Sequence, residues 1–199
     1  MPLPIVHSYA GYSIYRLSRK DRDRGSWGGI ILAVLLANLA DFDFFPGIFV
    51  GEMGRFHRGF THSLGAAFLS GAFVGLLVHL SKRGSFLKIF IVSFAAYFSH
   101  IFLDFFSEAG SHMPIFWPLS SAMIRTPIPI TLFIREGEFL HLSGDFSSFL
   151  TSFFSWGCLR VLLFEMACVF LVQSLTEAIV EIRRRLRMKE AAATVGVET

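Results

Sequence analysis

A chain of 199 residues that is 53% hydrophobic, 16% aromatic and only 17% charged, with a mean hydropathy of +0.57, cannot hide its apolar surface in one soluble domain. That excludes an ordinary water-soluble fold and points to an all-α membrane protein, of a length that suits a single domain. The net charge of +3 is gathered into clusters at Arg16–Arg24, Lys82–Lys88 and Arg183–Lys189; with no nucleic-acid motif beside them, they read as cytoplasmic flanks of membrane spans, and no nucleic-acid partner is expected.

The first segment, "IVHSYAGYSIY", is apolar and carries His7. It has no leading positive charge, so it does not read as a signal peptide. A short re-entrant or interfacial helix is the expected form. From His7 to Arg16 is about 14 Å of helix, enough to carry His7 to mid-bilayer. Either a polar pocket is sunk into the membrane or His7 stands apart from it.

The first span is expected over residues 28–49, with "LADFDFFPG" placing Asp41 and Asp43 near its end, before Pro46. "FHRGFTHS" follows, with His57, Arg58, Thr61 and His62 between two apolar runs. His57 and His62 are five apart and do not share a helix face. Thr61-His62-Ser63 has the look of a helix N-cap, with Thr61 as the capping residue. The second span covers residues 62–80 and the third 86–106, where "SHIFLDFFS" holds His100 and Asp104. These two are four apart, on one face of one helix. Either is expensive in a membrane unless paired or functional.

The loop over 107–147 is long, and "PITLFIREGEFLHLS" suggests a small hairpin around Glu136-Gly137. An interfacial helix is expected near 146–156 and a fourth span over 161–179. Glu165 falls one turn inside that span, either paired with Arg160 or supporting a ligand histidine. Cys158 and Cys168 are about 15 Å apart on one helix, too far for a disulfide. The single membrane domain then covers 1–182, followed by a basic tail, 183–199, disordered at its end.

Thirteen Lys and Arg fall on one side of this arrangement against five on the other, which places both termini in the cytoplasm. Asp41, Asp43, His57, His62, His100 and Asp104 then converge at one level, towards the outer side. Each fragment alone has a plain structural reading: a helix end, interfacial histidines, a buried His-Asp pair. Together they leave net negative charge in a low-dielectric site. A divalent cation relieves it, and mixed His/Asp ligation suits zinc, manganese or iron. Six ligands exceed what one tetrahedral zinc uses, so two ions are expected, with zinc or manganese foremost.

The strings "PIVHSYAGY", "LADFDFFPG", "HRGFTHS", "SHIFLDFFS" and "PIFWPLS" resemble the YdjM-type membrane-bound metal-dependent hydrolases of bacteria and archaea. "HRGFTHS" is the most specific of them, and the likeness covers about residues 2–120. It implies a multi-pass inner-membrane protein that hydrolyses its substrate with bound metal. It also implies His7, Asp41, Asp43, His57, His62, His100 and Asp104 as the polar set, and thus a deep pocket. The order of these residues has a fainter similarity to zinc-dependent phospholipases C.

The expected activity is hydrolysis of a phosphoester or similar bond on an amphiphilic, lipid-linked substrate, by metal-activated water. Asp41 or Asp43 would bridge the ions or take the proton, and Arg58 would clamp a phosphate with its planar fork. Membrane lipids are the expected surroundings. The rival readings are a non-catalytic metal binder or transporter, and a structural multi-pass protein. Transport is disfavoured because the cytoplasmic halves offer only Asn38, Ser70, His79 and Ser93 as polar steps.

Overall fold

The computed structural model describes residues 4–19, 26–52, 55–107, 112–125 and 156–195, and most of these are helical. Two helices open the chain, α1 (Pro4–Leu17) and α2 (Trp27–Asn38). Ser26 caps α2, its Oγ accepting from Gly29 N at 3.1 Å, which satisfies one of the donors a helix start leaves open. The pair is antiparallel. At one end Ser26 N donates to the Tyr15 hydroxyl at 3.0 Å, and at the other Asn38 Nδ2 donates to Ser8 Oγ at 3.0 Å. Between them, a Cβ on Gly11 would fall 2.5 Å from the Ala33 carbonyl oxygen, so only glycine allows this approach.

The apolar run Trp27–Phe49 is long enough to cross a membrane, but it is not one uniform helix. A 3₁₀ turn occupies Leu39–Phe44 before α3 (Phe45–Phe49). Asn38 marks the change by bonding back to Val34 O at 2.8 Å. The tightening matters for Asp41 and Asp43. Two residues apart, they would diverge by about 160° on an α-helix and by about 120° on a 3₁₀ helix.

A second 3₁₀ turn, Phe60–His62, leads into α4 (Leu64–Leu80), and α5 (Phe86–Ser107) returns antiparallel. α4 carries Gly71 and Gly75, one turn apart, against α5. A Cβ on Gly71 would meet Phe90 O and the Phe94 backbone at 3.1 Å. This small-residue face lets two backbones close where lipid supplies no hydrophobic drive. Phe86, Phe90, Phe94 and Phe98 stack along α5 with centroids 5.8–6.0 Å apart.

Beyond α5, a short antiparallel pair joins β1 (His112–Met113) to β2 (Ile124–Arg125). The intervening turn docks on the start of α4, where Leu64 N donates to Ile115 O at 2.8 Å and Gly65 N to Trp117 O at 3.1 Å. Met113 is buried with Ala40, Ala66, Tyr97 and Ile101. The expected hairpin at Glu136-Gly137 and most of the expected interfacial helix lie outside the described residues.

The last helix, α6 (Trp156–Val195), runs through the basic cluster expected as a tail. It lies along α1, with the Tyr9 hydroxyl donating to Gln173 Oε1 at 3.0 Å and Arg183 to Leu17 O at 3.0 Å. Among the described residues, three stretches are long and apolar enough to span a membrane: Trp27–Phe49, Phe86–Phe106 and Leu162–Glu190. α4 is apolar but shorter; 17 residues rise about 25 Å against a core of roughly 30 Å.

Two ends result. Arg16, Arg19, Arg83, Lys88 and Arg183 gather at one. Pro4, Asp41, His62 and Asp104 gather at the other. The start of α1 therefore lies at the end opposite the basic stretch of α6. The physical reason is α1 itself, whose 14 residues carry His7 about 14 Å away from Arg16.

Candidate metal centre

Four elements bring the polar residues together at the end away from the basic clusters. α1 supplies His7, the 3₁₀ turn after α2 supplies Asp41 and Asp43, and the chain before α4 supplies His57 and His62. α5 supplies His100 and Asp104. His7, His62, His100 and Asp104 are fully buried, and Asp41 nearly so. His7 stacks on His100 with centroids 3.9 Å apart. The structure thus brings His7 into the cluster, beside His100 and Asp104.

Three histidines have their tautomers fixed by what lies behind them. His100 Nδ1 is 2.8 Å from Ala37 O, which can only accept, so Nδ1 carries the proton. His57 Nδ1 is 3.0 Å from Asp43 Oδ1 and is the donor by the same logic. Thr61 Oγ1 donates to Asp43 Oδ2 at 2.7 Å, which leaves its lone pairs to accept from His62 Nδ1 at 3.2 Å. His62 and His100 therefore turn an Nε2 lone pair inwards to Asp41, whereas His57 approaches Asp41 through Nδ1, at 3.9 Å. A carbonyl or carboxylate behind a histidine is the usual way a ligand ring is oriented and made more basic.

Nε2 of His62 and His100, both nitrogens of His7 and both oxygens of Asp41 are buried and make no hydrogen bond, and neither does Nε2 of His57. An unmet buried polar atom costs about 1–3 kcal/mol, and this many at one point call for a ligand. Their spacing fits a cation. Two atoms each about 2.1 Å from a tetrahedral ion stand about 3.4 Å apart. His100 Nε2 lies 3.3 Å from Asp41 Oδ1, and His7 Nε2 lies 3.4 Å from Asp104 Oδ1. His62 Nε2 is 3.6 Å from Asp104 Oδ2 and 3.7 Å from Asp41 Oδ1. Hydrogen-bonded pairs would close to about 2.8 Å.

Two groups of ligand atoms within 4.8 Å of one another emerge among the described residues: Asp41, His57, His62 and Asp104, and His7, Asp41 and His100. Asp41 belongs to both. Asp43 belongs to neither, because its oxygens already take bonds from His57, Thr61 and the Arg58 amide at 3.2 Å. It supports the ligands from behind.

The profile of the YdjM inner membrane protein family matches residues 2–180. The chain belongs to that family. The match runs past the motif-bearing first 120 residues and takes in much of α6, the part least specific by eye. Neither a curated protein nor a solved structure matches the chain. As a YdjM-family member it is an inner-membrane protein.

Sequence reasoning misplaced one role here and missed another. Ser63, not Thr61, caps α4, its Oγ accepting from Ala66 N at 3.1 Å. Thr61 instead ties Asp43 to His62. Arg58 takes a left-handed backbone, φ 63°, which aims its amide at Asp43; neither feature is written in residue spacing. Glu165 is buried on α6 and lies outside both ligand groups. His79 sits at the other end of α4, His112 is in β1, and His141 lies outside the described residues.

Proposed function

We propose that this YdjM-family protein is a membrane-embedded, metal-dependent hydrolase of a phosphoester on an amphiphilic, lipid-linked substrate. The observation that carries the reading is the pair of buried Nε2 atoms of His62 and His100 that face Asp41, each ring held from behind, with His7 and Asp104 beside them. Divalent ions, two of zinc or manganese, would be held by His7, Asp41, His57, His62, His100 and Asp104. Such ions supply a Lewis acid and a water acidic enough to attack at neutral pH.

The chain's own residues supply the rest. Asp41, common to both groups, holds them at a fixed separation. Asp43 keeps His57 and His62 in the ligating tautomer and is a positioning residue. Arg58, fixed by the turn that seats its amide on Asp43, is placed to hold an anionic group beside His57. The walls of α2, α4 and α5 keep bulk water from the ligands. His57 and Asp41 are the least buried of the set, each with a side chain 8% exposed, so substrate approaches from their side. The positive-inside rule puts this end towards the outside and the basic end of α6 in the cytoplasm.

Full enclosure of His7, His62, His100 and Asp104 favours a second reading, an ion that fastens four elements without catalysis. The two separate on one experiment. Purified protein loaded with zinc or manganese is assayed on phospholipid and lipid-linked phosphate substrates beside the His100→Ala and Asp104→Ala variants. Turnover that both variants lose supports the enzyme. Metal that binds with no turnover on any such substrate leaves the structural role.

A further inference from the structure

At the basic end lies a cavity of about 440 Å³ between α1, α2, α4 and α5, its mouth at Lys88 about 18 Å along α5 from His100 and its inner end at Ala96 about 6 Å from it. Its size is that of a small-molecule site. The walls are apolar, with Leu32 and Leu36 of α2, Val78 of α4, and Ile89, Val92 and Ala96 of α5. The rim is cationic. Arg19 follows α1, Arg83 lies in the α4–α5 turn and Lys88 is in the first turn of α5, so three separate segments bring positive charge to one mouth. No carboxylate lines it among the described residues. Arg19 is steadied there by the Tyr15 ring, 5.8 Å below its guanidinium carbon.

Charge of this kind sets orientation in any membrane protein, but orientation asks only that cations lie near the surface. It does not ask that they ring a cavity, nor that the cavity run about 12 Å along α5 from Lys88 to Ala96 between apolar walls. An anion with an apolar tail satisfies both halves at once. The occupant that meets this mouth from the membrane side is a lipid, since basic pockets between helices at the cytoplasmic face suit anionic headgroups.

We propose that this cavity binds one anionic phospholipid of the adjoining leaflet, its phosphate between Arg83, Lys88 and Arg19 and an acyl chain along Leu32, Leu36 and Val92. The site is separate from the metal centre and independent of any hydrolase activity. It ties α1 and α2 to the α4–α5 pair at the end the metal residues do not reach.

The test uses the detergent-purified full chain and native mass spectrometry, with phosphatidylglycerol, phosphatidylcholine and inorganic phosphate as probes. One phosphatidylglycerol is expected to stay bound where phosphatidylcholine is lost. The Arg83→Gln/Lys88→Gln variant should weaken it roughly twenty-fivefold, at about fivefold for each cation. Val92→Trp fills the cavity without changing charge and should weaken it at least about tenfold. An Arg184→Gln/Arg187→Gln control, with the same charge removed from α6, should stay within about twofold. An equal loss in the control overturns the proposal, because the attraction is then a general surface effect. Unchanged binding by Val92→Trp overturns it as well, and so does displacement of the lipid by millimolar phosphate, which would make the occupant a free anion. Both rim side chains are exposed, so the charge variant folds and decides the matter even if Val92→Trp does not.

Discussion

Thr61 offers the sharpest test of how the candidate centre is built, because valine has its shape without its hydroxyl. In Thr61→Val the 2.7 Å bond to Asp43 Oδ2 and the 3.2 Å contact to His62 Nδ1 both vanish. A hydrogen bond to a charged group is worth about 1.5–3 kcal/mol. His62 Nδ1 keeps Asp43 Oδ2 at 3.3 Å, so the ring loses support without losing its tautomer altogether. The expected cost is ten- to a hundredfold in metal affinity, typical for a residue behind a ligand and equal to about 1.4–2.7 kcal/mol. The backbone contact from the Tyr97 hydroxyl to Thr61 O, 2.9 Å, is untouched, and the fold should survive. Zinc affinity is measured by competition with a chromophoric chelator, alongside Thr61→Ser, which should restore binding to within a few-fold. Equal affinity for wild type and Thr61→Val refutes the relay, and so does a serine variant as weak as valine.

Two further outcomes follow from the packing and the charge. Gly71→Leu should lower thermal stability by about 1–3 kcal/mol or more, because a side chain there must push Phe90 and Phe94 of α5 aside; a melting temperature equal to wild type removes the small-residue contact from the account. In a background lacking Cys158 and Cys168, Glu52→Cys should react with an impermeant thiol reagent from outside and Ser85→Cys only from inside. The reverse pattern turns the metal end towards the cytoplasm.

Much of this was legible in the sequence because hydrophobic length and ionisable residues are loud signals in a membrane protein. The i, i+4 pair His100 and Asp104 declared its shared face directly. The apolar runs marked α4 and α5 to within two residues. What spacing could not show was backbone detail. Asp41 and Asp43 looked equivalent, and only the 3₁₀ turn sends one inwards and leaves the other behind the histidines. His57 and His62, five apart, looked divergent, and only the left-handed Arg58 and the following turn aim both at Asp41. Thr61 read as a cap because hydroxyls before helices usually are; Ser63 took that place and freed Thr61 for Asp43. His7 was undecidable from the sequence because its depth depends on how α1 leans on α2, which Gly11 and Ala33 set. The length of α6 was underestimated, since the arginines that end a span do not end a helix.

Metal content of the purified protein decides whether the buried His/Asp cluster is a metal centre. After chelator-free purification and equilibration with zinc or manganese, elemental analysis should find close to two ions per chain. Asp41→Asn, which alters the one residue common to both groups, should lower that to one or fewer. Less than one equivalent in the wild-type protein, or an unchanged two in Asp41→Asn, would contradict the account.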